Sequence, residues 1–184
     1  MGFDDLPPGS ILYKNRILFL FDDITQETAK DIIPKLMVMN SLSAEPIKLF
    51  INSPGGEVSA GMAIYDTFRF IQAPMNTICI GQAGSMAAWL LAAGAKGYRV
   101  ASENAQIMIH QGRTLIGGTY TDLKINMQEF ERTQRRLINI LVRHTGQKED
   151  VVAQAIERDK WMSPQEAQEF GIIDRVVGEH EIDS

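Results

Sequence analysis

The stretch GQAGSMAAWLLAAG, residues 81–94, decides how the rest of the chain is read. It follows a β-rich run, Asn76 to Ile80, and continues as Met86, Ala87, Ala88, Trp89, Leu90, Leu91, Ala92 and Ala93, whose composition and length suit a buried helix. Ser85 therefore stands at a turn from strand to helix. A serine there has two readings. As an N-cap it accepts a hydrogen bond from a free helix N–H, the ordinary role of serine at a helix start. As a nucleophile it shares the turn with those same N–H groups, which together with the helix dipole can hold a developing oxyanion. Taken alone, residues 81–94 favour the cap.

Working outward, strands and helices alternate. RILFLF (16–21) reads as a strand, and Thr25 opens a helix to about Met39 with Pro34 as a kink. IKLFIN (47–52) is a second strand, followed by the turn SPGG and a helix from about Val58 to Ile71. NTICIG (76–81) is a third, placing Cys79 in the core, and the short strands YRV (98–100) and QIMIH (106–110) follow the Ser85 helix. Such alternation predicts an α/β fold with a largely parallel sheet. From Asp122 to His144, Leu123, Met127, Phe130, Leu137 and Leu141 recur near helical spacing, with Gly146 as the stop. SPQEAQEFG (163–171) supplies Ser163 as cap, Pro164 in the first turn, Glu166 as capping-box partner and Gly171 as stop, and IIDRVV (172–177) returns as a strand. The long helix suggests a protruding handle over about 112–145. With no repeat, low-complexity tract or linker, residues 1–184 are expected to form one domain.

Composition narrows the function classes. At 184 residues and 45% apolar content the chain can bury a full core. One cysteine excludes an intrachain disulfide, and three scattered histidines form no metal-ligand pattern. A net charge of −5 disfavours nucleic acid, and Arg132, Arg135 and Arg136 lie beside Glu129 and Glu131, which reads as a solvated face or subunit contact. Met86 to Ala93 is too short to cross a bilayer, and MGFDDLPPGS lacks the features of a signal peptide. Leu6 stands where a myristoylation signal wants Ser or Thr. A cytoplasmic protein without membrane attachment is expected.

In parallel α/β sheets, ligands gather at the carboxyl ends of strands. Here those ends carry Ser53-Pro54-Gly55-Gly56, Gly84-Ser85 and His110. Paired glycines can present bare backbone N–H groups, as an oxyanion hole requires. Serine needs a base, for which the chain offers His110, His144 and His180. His144 ends a helix, where capping or the dipole accounts for it, and His180 is in a polar tail, so His110 remains. The third member of a triad is open among Asp122, Asp150, Asp159 and Asp174, because no spacing rule chooses between them.

The chain resembles the ClpP family, self-compartmentalising serine peptidases of the crotonase-like fold. NSPGG (52–56), GQAGSMAAWLLAAG (81–94), QIMIHQ (106–111), HTGQ (144–147), IERD (156–159) and EFGIIDRV (169–176) fall in the family's order, from about Ile11 to Val177. The resemblance implies Ser85 as nucleophile, His110 as general base and then acid, and Asp159 as the residue orienting His110. It implies the N–H groups of Gly56 and Met86 as the oxyanion hole, and acyl-enzyme peptide hydrolysis without metal or cofactor. It further implies two stacked seven-membered rings joined through the handle, and an AAA+ unfoldase partner feeding unfolded proteins. Glu157 and Arg158 match positions that couple ring contacts to triad alignment. Three departures stand out: few residues precede the first strand, so an N-terminal axial hairpin is expected to be short or missing; Lys48 replaces an aromatic of the docking pocket; and Gly112 replaces a proline, with the glycine pair Gly117 and Gly118 late. These put standard unfoldase docking in question and imply free entry for short peptides.

Other readings are an acyl-CoA enzyme of the crotonase fold, a ring subunit that is itself inactive, and a signal-peptide peptidase relative. The first generally uses carboxylates in a longer chain, the second typically loses triad residues, and the third carries a serine–lysine dyad with a membrane anchor.

Overall fold

The computed structural model describes residues 8–115 and 117–179. The readings at Leu6 and His180 lie outside these. In chain order the elements are α1 (Pro8–Lys14), β1 (Ile17–Leu20), α2 (Gln26–Leu42), β2 (Ile47–Ser53), α3 (Val58–Phe70), β3 (Met75–Gly84), α4 (Met86–Ala92), β4 (Arg99–Ser102), β5 (Gln106–Ile109), α5 (Tyr120–Thr145), α6 (Glu149–Ala155), β6 (Lys160–Met162), α7 (Pro164–Phe170) and β7 (Arg175–Val177). The expected α/β fold with a largely parallel sheet is present. Strands β1, β2, β3, β4 and β7 lie side by side in that order, all parallel. β5 joins β3 in parallel and carries β6 antiparallel on its far edge.

Local chemistry explains the element ends. Thr25 caps α2 through a reciprocal box with Thr28, and the helix runs through Pro34 to Leu42 with Ala29, Ile32, Leu36 and Met39 buried at helical spacing. Ser163, Pro164, Glu166 and Gly171 take the positions on α7 that the sequence predicts. Gly146 closes α5 in left-handed backbone.

The third strand differs from expectation. It runs ten residues, past the expected end at Gly81 to Gly84. Its register against β2 slips between Ile51↔Cys79 and Ser53↔Ala83, so β3 spends extra residues in a bulge. The Asn52 side chain fills that bulge, its Oδ1 accepting the Gln82 N–H at 3.2 Å. Before the bulge β3 pairs with β4, and after it with β5. α1, α6 and β6 are additions to the expected set. α6 had a readable signal in Glu149 and Asp150 at its first turn.

The main core lies where α2, α3 and α4 cover the sheet, with Leu49, Ile64, Cys79, Trp89 and Leu90 fully or almost fully buried. Burial pushes the Cys79 thiol up to about 12, so it stays protonated. α5 is anchored only near its C-terminal end, by buried Leu137, Ile140 and Leu141 and by the Trp89 indole N–H donating to the Leu137 carbonyl at 2.9 Å. Leu123 and Met127, two of the apolar residues at helical spacing, are exposed because this helix of about 39 Å runs clear of the sheet. Arg132 and Arg136 both pair with Glu129 on this surface.

A buried ion pair ties the C-terminal half together. Arg99 on β4 meets both oxygens of Asp174, at 2.9 and 2.6 Å, and its Nη1 donates to the carbonyls of His144 and Gly171 at 2.8 and 2.9 Å. One guanidinium thus satisfies the C-terminal ends of α5 and α7. Burial alone would raise the Asp174 carboxyl, but hydrogen bonds from Arg99 and Gly97 and the Arg99 charge hold it below its usual value. Removing one partner leaves the other charge uncompensated. Asp174→Ala is expected to lower stability in urea denaturation by about 3 kcal/mol at neutral pH. Because the folded carboxyl is depressed, that advantage of the wild type is present above about pH 4 and fades as pH falls through the folded value.

Candidate active site

Two backbone turns meet at the carboxyl ends of β2 and β3. Ser53, fully buried, donates through Oγ to the Asp22 carbonyl at 2.6 Å and accepts the Gly55 N–H at 3.1 Å. A Cβ on Gly55 would fall 2.5 Å from the Gly84 carbonyl oxygen and 2.7 Å from Ser85 Cβ, and its φ is +97°. Only glycine lets the two turns pack this closely. Gly56 bridges to Ile24, and the bridge uses the Gly55 carbonyl and the Glu57 N–H on either side of it.

Ser85 is held at φ 48°, ψ −130°, outside the common regions for a side-chain-bearing residue, at a cost on the order of 1–3 kcal/mol. Its N–H donates to the Met108 carbonyl at 2.8 Å, continuing the β3–β5 pairing through the turn, and the next residue already starts α4. The side chain makes no capping bond to that helix. Its Oγ instead lies 2.8 Å from His110 Nε2. The cap favoured by residues 81–94 alone is therefore not what Ser85 does. The parallel pairing Gly84↔Met108 explains the meeting, since it sets the residues just beyond both strands side by side.

The four candidate acids separate. Asp122 caps α5 with Thr119, Asp150 is exposed on α6, and Asp174 belongs to Arg99. Asp159 lies in the turn before β6, with Oδ1 3.4 Å from His110 Nδ1. β6 pairs with β5 through Ile109↔Lys160, which brings Asp159 beside His110. Sequence reasoning missed Arg113, whose Nη2 lies 2.9 and 3.1 Å from the two Asp159 oxygens. Its position three residues past His110 was the one available signal.

Burial pulls His110 below its ordinary value of 6.5, the Arg113 charge adds to this, and Asp159 opposes it. His110 is thus neutral at pH 7, able to accept a proton at Nε2. His144 was expected to be accounted for by capping or the helix dipole, and its surroundings give it another role. Burial, then Arg99, Arg143 and Arg69, lower it to about 4, and its Nε2 lies 3.1 Å from the Tyr65 hydroxyl. An uncharged ring gains little from the helix dipole.

A cavity of about 610 Å³ opens beside the 112–115 segment, with Val58, Thr114, Phe130 and Gln134 in its lining. A Cβ at Gly112 would come within 2.5 Å of Gln134 Nε2, so Gln134 occupies the space beside this glycine. That Nε2 is buried without a protein partner. Glu157 and Arg158 sit in the exposed turn between α6 and Asp159, where the Glu157 carbonyl accepts from Gln111 Nε2 at 2.9 Å. Among the described residues no cluster of His, Cys, Asp or Glu could hold a metal ion, and no helix is long and apolar enough to cross a membrane.

The Clp protease family model matches residues 7–180 of this chain. A protein named ATP-dependent Clp protease proteolytic subunit, from Deinococcus radiodurans, is 43% identical over 169 residues, covering 91% of this chain and 83% of that protein. A match of that extent and identity places this chain in the Clp protease family, whose members are serine peptidases with the ClpP fold.

Proposed function

We propose that Ser85, His110 and Asp159 form the catalytic triad of this peptidase, with the Gly56 and Met86 N–H groups as the oxyanion hole. The observation that carries the reading is Ser85 Oγ at 2.8 Å from His110 Nε2, on a strained turn where the serine forgoes its cap. His110 takes the Ser85 proton as Oγ attacks the substrate carbonyl, then delivers it to the departing amine. Water enters by the same route in reverse and releases the acyl group from Ser85. Asp159 orients the Nδ1–H tautomer and stabilises the imidazolium. Met86 opens α4, so its N–H lacks an intrahelical acceptor, and Gly55, the residue before Gly56, packs against the Met86 nitrogen. The cavity between Val58 and Phe130 has Glu57, the residue after Gly56, in its lining and is the proposed seat for a substrate side chain.

The proposed setting is a cytoplasmic particle of two seven-membered rings working with an AAA+ unfoldase, on unfolded proteins and short peptides. Clp-type proteases are usually oligomeric and work with an ATPase partner. In support, α5 projects away from its own sheet with exposed apolar residues, and Phe19 stacks on Phe50 at a partly exposed sheet surface. Glu157 and Arg158 are proposed to couple ring contacts to the triad through their place next to Asp159.

A fluorophosphonate is expected to add once to the protein by intact mass and not at all to Ser85→Ala. No adduct on an assembled wild-type particle overturns the triad assignment. Since His110 works when neutral and its value is lowered, kcat/KM for a short fluorogenic peptide should be flat above pH 7 and fall only below 6.5. Arg158→Ala is expected to leave rings misassembled by native mass, with low peptidase activity; fully active double rings would refute the coupling.

A further inference from the structure

Arg113 has no role in the mechanism above, yet it makes the closest contacts to Asp159 in the site. Its Nη2 straddles the carboxylate at 2.9 and 3.1 Å, whereas His110 Nδ1 stands 3.4 Å from Oδ1, beyond ordinary hydrogen-bond length. The guanidinium and the imidazole therefore compete for the same oxygen. We propose that Arg113 is a positioning residue that divides the Asp159 carboxylate between itself and His110, and so holds the triad below its full activity. The proposal rests on the triad reading.

The backbone fixes this arrangement. Gln111 N–H donates to the Ile156 carbonyl at 2.6 Å and Gln111 Nε2 to the Glu157 carbonyl, so the segment carrying His110 and Arg113 is pinned to the turn carrying Asp159. Stability does not account for the pair. The side chains of Arg113 and Asp159 are 74% and 43% exposed, and ion pairs so open to water contribute little to folding.

The charged groups facing His110 are few. Arg113 comes from its own segment and Asp159 from the turn before β6, while Ser85 faces it from the turn before α4. Lys160 stands opposite Ile109 in the strand register, with its charge acting on Glu166. Arg113 therefore opposes the imidazolium twice, directly as a like charge and indirectly by drawing Asp159 away. An imidazolium forms as Ser85 attacks, so both effects act on the reacting state. With Arg113 drawn off, Oδ1 is free to close on Nδ1–H.

The test is kcat/KM against pH for one neutral fluorogenic peptide, with assembled wild type, Arg113→Ala, Arg113→Lys and Ser85→Ala compared at matched particle mass. Arg113→Ala is expected to move the acid limb to higher pH, because the like charge is gone, and to raise the alkaline plateau roughly 3- to 10-fold, as one hydrogen bond to Asp159 is regained. Arg113→Lys keeps the charge and should leave the acid limb near that of the wild type. An unmoved acid limb in Arg113→Ala, or a plateau that falls, overturns the proposal, since a merely structural support would lower activity without moving the limb. Activity surviving in Ser85→Ala overturns the triad reading and this inference with it.

Discussion

The site depends on one steric constraint: two backbone turns, Pro54–Gly56 and Gly84–Met86, pack against each other without side chains between them. Gly55 adopts a positive φ within van der Waals reach of Gly84 and Ser85, and buried Ser53 fixes the approach by bonding both Asp22 and Gly55. The contact sets Gly55 against the Met86 backbone nitrogen, and Ser85 beside it is held in a conformation that points its hydroxyl to His110 rather than to its own helix. Strain of this kind persists only where surrounding packing over-determines it. The fully buried helix that follows, from Ala87 to Ala92 with Trp89 and Leu90, supplies that packing.

The bulge in β3 is the second device. Against β2 the strand spends two extra residues between Cys79 and Ala83, with the Asn52 side chain bonded into the gap. On the other side β4 ends at Ser102, and β5 takes up the pairing at Gln82↔Gln106 and carries it to Gly84↔Met108, which delivers Ser85 next to the end of the strand that carries His110. β5 then recruits β6, and with it Asp159. The three residues, far apart in the chain, are thereby collected by successive strand pairings rather than by flexible loops.

Two carboxylates show how environment assigns roles to one residue type. Asp174 is enclosed by Arg99 and backbone N–H groups, and its work is structural. Asp159 is half open to solvent, and its partners are a histidine and an exposed arginine. The first is held firmly by desolvated charge-assisted bonds, whereas the second can exchange partners at small cost.

Much of this protein was legible in its sequence, because hydrophobic period and end signals are local. The alternating pattern gave the parallel α/β class, and Thr25, Ser163, Glu166 and Gly171 marked helix ends through bonds made within a few residues. His110 could be nominated as base by elimination, and strand-end chemistry pointed to Ser85. Tertiary structure decided what depends on distant neighbours. The cap reading of Ser85 gives way because His110 lies across the β3–β5 pair, and a bulge looks like a turn until its partner strands are known. Four aspartates were equal in sequence, and only the β5–β6 pairing sets one beside His110. Arg113 offered only its nearness to His110 in the chain, because its effect is electrostatic, and charge acts through space without regard to spacing along the chain.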